Sequence, residues 1–210
     1  LTETNILETQ FRAMLRASSH GPVRILLPMV SNTSEVIKAR ELLKKAATRL
    51  KRRKIAVPSP LPPLGVMIEV PGAALAADAL ARHSDFFAIG SNDLTMYTLA
   101  TDRANEHVAH LFDPLHPAVL RLIQFTTSAA LRARIPISIC GEIAGEPRYA
   151  ALLVGLGLRE LSMSPASIPR VKQRIRGMDA LAAAARANLI MDQTDSGRIA
   201  TLLDDFNALA

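Results

Sequence analysis

The sequence predicts an α/β protein built on a parallel sheet covered by helices, and three observations carry that reading. Short apolar runs and longer amphipathic stretches alternate through five rounds. The runs are nearly continuous in Val, Ile, Leu and Phe, as strands buried on both faces require. Proline and glycine punctuate the joins between them. Five rounds make either an open doubly wound sheet or the larger part of an eight-stranded barrel, and spacing alone leaves both open.

Composition narrows the class further. The 210 residues are 49% hydrophobic, enough for one sizeable core, so residues 1–210 are expected to form a single domain. One cysteine excludes an intramolecular disulfide framework. No apolar run approaches the ~20 residues that span a bilayer. The net charge of +6 is concentrated in Lys44, Lys45, Arg49, Lys51, Arg52, Arg53 and Lys54. With no aromatic stacking partner and no nucleic-acid motif nearby, these read as a solvated helix face. The N-terminus has neither the basic start nor the apolar block of a signal peptide, and it begins at Leu1 rather than Met. A piece of a longer chain is expected.

The elements follow in order. Leu7, Phe11, Met14 and Leu15 stand at helical spacing within residues 5–19, with Gly21 as a stop. Val23 to Val30 reads as a buried strand broken at Pro28. Asn32 and Glu35 form a capping box for a helix running to about Lys54. The proline-rich segment 57–63 is a surface connection, since Leu64 to Val70 resumes a strand at once. Pro71 can open the next helix, filled by Ala73 to Leu80. Phe86 to Ile89 is a strand, Thr95 to Ala100 a helical turn, and residues 102–105 a loop. Pro117 to Arg134 is a helix with Val119, Leu120, Ile123 and Leu131 on one side. Ile135 to Cys140 is a strand, followed by Gly141-Glu-Ile-Ala-Gly145 and then a helix through Leu156. Glu160 to Met163 is the last strand, and helices are expected from Pro165 to Arg176, near 179–190 and near 196–209, the last capped by Thr194 or Asp195.

The chemistry gathers where strands end. Glu69 interrupts an apolar run just before Val70 and Pro71. Asn92 and Asp93 follow the strand that stops at Gly90, Cys140 ends another with Gly141 and Glu142 beyond it, and Ser162 and Ser164 close the last. In a parallel sheet these exits open on one face, where such folds bind ligands. A carboxylate there costs folding free energy unless its charge is used. Asn92 or Asp93 could instead cap the next helix. Glu69 and Asp93 on neighbouring strands could share one hard cation such as Mg²⁺; Glu69 paired to an Arg or Lys is the alternative. Arg103, just past the turn, could hold a phosphate or carboxylate two-pronged, or lie free in solvent. Cys140 has glycine beside it and no histidine close in sequence, which disfavours a Cys-His hydrolase and favours acid–base work.

Several stretches match a known family. Gly65-Val-Met-Ile-Glu-Val-Pro71, the run from Asp85 to Arg103, Cys140-Gly-Glu-Ile-Ala-Gly145, Leu111 to Leu120 and Leu161 to Pro169 resemble phosphoenolpyruvate–protein phosphotransferase, Enzyme I of the bacterial sugar phosphotransferase system. The motifs run in register across nearly the whole chain. The resemblance implies the C-terminal part of a phosphoenolpyruvate-utilising TIM barrel, its last five of eight strands plus C-terminal helices. It implies Mg²⁺ held by Glu69 and Asp93, substrate contacts from Asn92, Asp93 and Arg103, and Cys140 as the acid that protonates the enolate carbon as pyruvate forms.

It further implies a cytoplasmic homodimer. The phosphoryl group would pass to a histidine of an upstream domain, and on to a phosphocarrier protein reached through the missing N-terminal domains. No motif for that histidine occurs here, and the first strands with their further arginines are absent, so little turnover is expected of this chain alone. Gly72 and Met96 depart from the alanine and glutamine common in the family. Pyruvate phosphate dikinase and phosphoenolpyruvate synthase share the barrel, but the Cys-Gly-Glu-Ile-Ala-Gly and Thr-Asp-Arg-Ala-Asn stretches favour Enzyme I. A truncated binding or dimerising module, inactive by itself, is the reading from a different class.

Overall fold

A computed structural model of the chain describes residues 4–208. Five strands, β1 (Ile25–Leu27), β2 (Leu64–Ile68), β3 (Phe87–Gly90), β4 (Ile137–Cys140) and β5 (Glu160–Leu161), form one sheet in the order β1-β2-β3-β4-β5. Every neighbouring pair is parallel. A doubly wound sheet reverses its strand order at a switch point. This order never reverses, which is the winding of a barrel; it decides between the two architectures that spacing left open, in favour of the barrel the family resemblance implied.

Eleven α-helices lie in the described residues: α1 (Thr4–Ala17), α2 (Thr33–Arg52), α3 (Pro71–Leu75), α4 (Ala77–Ala81), α5 (Ser91–Leu99), α6 (Pro117–Ala133), α7 (Glu142–Gly145), α8 (Pro147–Gly155), α9 (Ile168–Arg176), α10 (Ala180–Met191) and α11 (Ser196–Ala208). The capping box at Asn32 and Glu35 is present. Asp195 accepts from the Arg198 N–H at 2.8 Å at the start of α11. Residue 209, expected in that helix, lies outside the described range. Among the described residues no helix is long and apolar enough to cross a membrane.

Several elements differ from expectation for local reasons. The strand expected over 23–30 shortens to Ile25–Leu27, because Arg24 turns out to pair with Glu160 at 3.3 Å and Pro28 has no N–H for a ladder. α1 ends at Ala17, before Gly21. The stretch after β4 winds into a short helix of its own, α7, and Pro147 opens the expected following helix as α8, which ends at Gly155. α9 begins at Ile168 rather than Pro165, with Pro169 in its first turn. Leu131 is 53% exposed and does not share the buried side of α6 with Val119, Leu120 and Ile123. The helix after β3 begins at Ser91, four residues before the expected Thr95. Lys44, Lys45, Arg49, Lys51, Arg52, Arg53 and Lys54 are exposed, and of these seven Arg49 alone is ion-paired, to the buried Glu8.

The two faces of the sheet are unlike. Ile25, Leu27, Leu64, Val66, Ile68, Phe87, Ile89, Ile137 and Ile139 point one way and are buried under the helices. The register places Leu26 beside Gly65, Met67 beside Ala88, Ala88 beside Ser138 and Gly90 beside Cys140 on the other face. That face is small-sided and partly open: Leu26, Met67, Ser138 and Cys140 are only half-buried. The apolar strands thus serve two surfaces, a packed one and one with room at its C-terminal rim.

Candidate active site at the strand exits

Glu69 follows β2 and is 3% exposed. Its Oε1 accepts the Met29 N–H at 2.7 Å, from the segment beyond β1. Met29 holds a left-handed backbone (φ 54°), an uncommon state for a residue with a long side chain, and this sets the direction of that N–H. Asp93, in the first turn of α5, comes within hydrogen-bonding reach of the Glu69 carboxyl. Burial, reinforced by Asp93 and opposed by the Met29 N–H, pushes the Glu69 carboxyl above its usual range. Gly90 makes the fit possible, since a Cβ there would stand 2.7 Å from Glu69 Oε2 and 2.9 Å from its Cβ.

Neither sequence alternative for these acids describes the structure. Glu69 and Asp93 pair with no Arg or Lys among the described residues. The N-cap of α5 is Gly90, with no side-chain cap bond, so neither Asn92 nor Asp93 caps it. Asn92 instead accepts the Glu142 N–H through Oδ1 at 3.2 Å, tying the β3 exit to the β4 exit.

Cys140 ends β4 beside Gly90. Its thiol donates to the Ile89 carbonyl at 3.4 Å. Burial, and then the Glu69 and Asp93 carboxylates, push the thiol above its ordinary value, so it carries its proton at neutral pH. A protonated thiol suits an acid, not a resting nucleophile. Arg103 is neither free nor remote: it donates to Glu142 at 2.6 Å and lies over the Phe112 ring at 5.0 Å.

A cleft of about 740 Å³ opens beside Cys140. Asn92, Gly141, Glu142, Ser162 and Ser164 line it, and no histidine does. The structure therefore brings together Asn92 and Cys140 in the cleft wall, Glu69 and Asp93 as a carboxylate pair near the thiol, and Arg103 at the rim through Glu142. Sequence reasoning missed Tyr149, Ser167 and Arg170, which also line the cleft. Their polar tips sit in ordinary helical surroundings and gave no signal. It also missed Met29, whose contribution is a backbone N–H that no residue type discloses.

Among the described residues no group of three or more His, Cys, Asp or Glu is placed to hold a metal. Two facing carboxylates with no cationic partner nonetheless fit a hard divalent cation, which takes one or two carboxylates and fills its other positions with water and substrate oxygens.

The winding defines a barrel-type α/β fold, with the polar residues gathered at the C-terminal rim of its sheet. Residues 1–180 match the family model of the PEP-utilising enzymes' PEP-binding domain, and the chain belongs to that family. It is 51% identical over 175 residues to the phosphoenolpyruvate-protein phosphotransferase of Cupriavidus necator, covering 83% of this chain and 30% of that protein. The multiphosphoryl transfer protein of Xanthomonas campestris is 47% identical over 178 residues, 84% of this chain and 20% of that one. The phosphoenolpyruvate-protein phosphotransferase of Haemophilus influenzae is 38% identical over 206 residues, 98% and 36%. The chain thus spans roughly a third or less of the length of these relatives. A citrate lyase from Burkholderia xenovorans has the same fold, at a TM-score of 0.60 and 19% identity over 96% of this chain and 69% of that one.

Proposed function

We propose that this chain is the phosphoenolpyruvate-binding part of a phosphoenolpyruvate–protein phosphotransferase, supplying the rim of the barrel that holds phosphoenolpyruvate and releases pyruvate. The observation that carries the reading is the placement of a protonated Cys140 thiol beside the Glu69 and Asp93 carboxylates on one rim. In this reading Glu69 and Asp93 hold Mg²⁺, which when bound neutralises charge on the substrate's oxygens. Asn92 and Asp93 orient the substrate. Arg103, swinging from Glu142, holds phosphate oxygens in two-pronged fashion.

Phosphoryl transfer breaks the bond between phosphorus and the enol oxygen. The phosphorus is taken by a histidine of a separate domain, and the electron pair stays on the enolate. Cys140 Sγ then gives its proton to the methylene carbon; pyruvate leaves and the thiolate regains a proton from water. A phosphocarrier protein as the onward acceptor, a cytoplasmic location, a homodimer and a part in sugar uptake belong to the same proposal.

The test is Cys140→Ala in a complete protein carrying this domain. Pyruvate release should fall about 10²-fold or more while phosphoenolpyruvate binding holds within about twofold. Normal turnover in that variant would remove the acid role.

A further inference from the structure

Ser91 has no part in the chemistry proposed above, yet it is 1% exposed and its hydroxyl is spent on one bond. Oγ donates to the Cys140 carbonyl at 2.7 Å, crossing from the first residue of α5 to the last residue of β4. The next residue, Gly141, has a left-handed backbone (φ 98°) that a side chain would strain. A Cβ there would also stand 2.2 Å from Ser91 Oγ and 2.9 Å from Asn92 Oδ1. One residue further, the Glu142 N–H reaches Asn92. Three consecutive residues after the Ile139 position are therefore gripped by two consecutive residues of α5.

We infer that Ser91 is a positioning residue for Cys140. Its hydroxyl fixes the Cys140–Gly141 peptide, which sets where Sγ stands relative to the Ile89 carbonyl and the cleft. The thiol's one hydrogen bond, to the Ile89 carbonyl at 3.4 Å, is of ordinary length for sulfur but weak, so the peptide that carries it decides its position. As the first residue of α5, Ser91 has no carbonyl of its own helix one turn back to receive its hydroxyl, unlike Thr95, which donates to the Ser91 carbonyl at 2.7 Å. Ser91 instead reaches across to the neighbouring exit, linking the segment that carries Asn92 and Asp93 to the one that carries the acid. The inference rests on the reading of Cys140 as that acid, but its test does not use turnover.

Cys140 is the only cysteine in the chain, so alkylation reports on it alone. The rate of modification by iodoacetamide is measured on the 210-residue chain at fixed pH, below the melting temperature, for wild type, Ser91→Ala and Ser91→Thr. Loss of one buried hydrogen bond should free the thiol and raise the rate about threefold to tenfold in Ser91→Ala, with Ser91→Thr, which keeps the hydroxyl, close to wild type. Repeating the measurement across pH separates a mobile thiol, faster by the same factor throughout, from a shifted ionisation. Gly141→Ala, which would displace the Ser91 hydroxyl, is the second variant and should accelerate alkylation in the same sense. A Ser91→Ala rate unchanged from wild type, or a pure shift in ionisation, overturns the inference. Should Ser91→Ala not fold, an unchanged rate in Gly141→Ala does so. Failure of the Cys140→Ala turnover test would leave these rates unaffected, so the two outcomes are distinguishable.

Discussion

Asp85, at the entry end of the sheet, and Glu69, at the exit end, are two carboxylates on adjoining strand segments with opposite surroundings. Asp85 Oδ2 accepts the Leu64 N–H at 2.7 Å and an Arg40 N–H at 3.1 Å, and the Asp85 N–H donates to the Leu64 carbonyl at 2.9 Å. Its charge is balanced and its bonds close the start of β2 onto the start of β3. Glu69 takes one backbone N–H, faces a second carboxylate and has no cation beside it among the described residues. The entry end uses a carboxylate to build the sheet; the exit end keeps one in reserve. That contrast is what the proposed sharing of Mg²⁺ by Glu69 and Asp93 would require of the exit end, and nothing at the entry end matches it.

The sharpest way to break this comparison is to remove the exit acids. In a complete protein carrying this domain, Glu69→Ala and Asp93→Ala should each lower pyruvate formation from phosphoenolpyruvate by about 10²-fold or more. Mg²⁺ affinity measured by calorimetry should fall with it. Unchanged Mg²⁺ affinity would count against the shared-ligand reading. Asp85→Ala should leave Mg²⁺ affinity alone and instead cost about 1–2 kcal/mol of stability in a denaturant titration, since the Leu64 N–H loses its acceptor.

The smallest effect is the most discriminating. Glu69→Gln keeps an acceptor for the Met29 N–H and removes the charge that faces Asp93. The folded chain binds a proton at Glu69 at pH values above the usual 4.5, where the unfolded chain has released it. Stability without metal should therefore decline as pH rises through the window above 4.5. Glu69→Gln should flatten that decline and melt a little higher than wild type at neutral pH in chelator, by about 0.5 kcal/mol or more. Thermal melts across pH check both, and a lower melting temperature in the variant would show that Glu69 is structural like Asp85.

Much of this was readable from residue types. The five rounds, the Asn32–Glu35 box and the polar residues at strand ends are local patterns, and the structure reproduces them. The winding was not readable from spacing, because strand order is fixed by how helices pack rather than by any one segment; the family resemblance supplied the barrel, and the strand order agrees with it. The roles of Gly90 and Gly141 were only half visible: a glycine announces freedom or closeness, but not that Glu69 or Ser91 is the neighbour it makes room for. The early start of α5 was hidden for a similar reason. Ser, Asn and Asp commonly precede a helix, and here they form its first turn because Asn92 and Ser91 find acceptors and donors on β4's exit instead of on their own backbone.

The pairing of Gly90 with Cys140 has a consequence for folding as well as for chemistry. Side chains alternate between faces, so a slip of β4 by one residue along β3 would turn the sulfur under the helices and bring Ile139 to the rim. The correctly assembled sheet is the one whose sulfur faces the cleft.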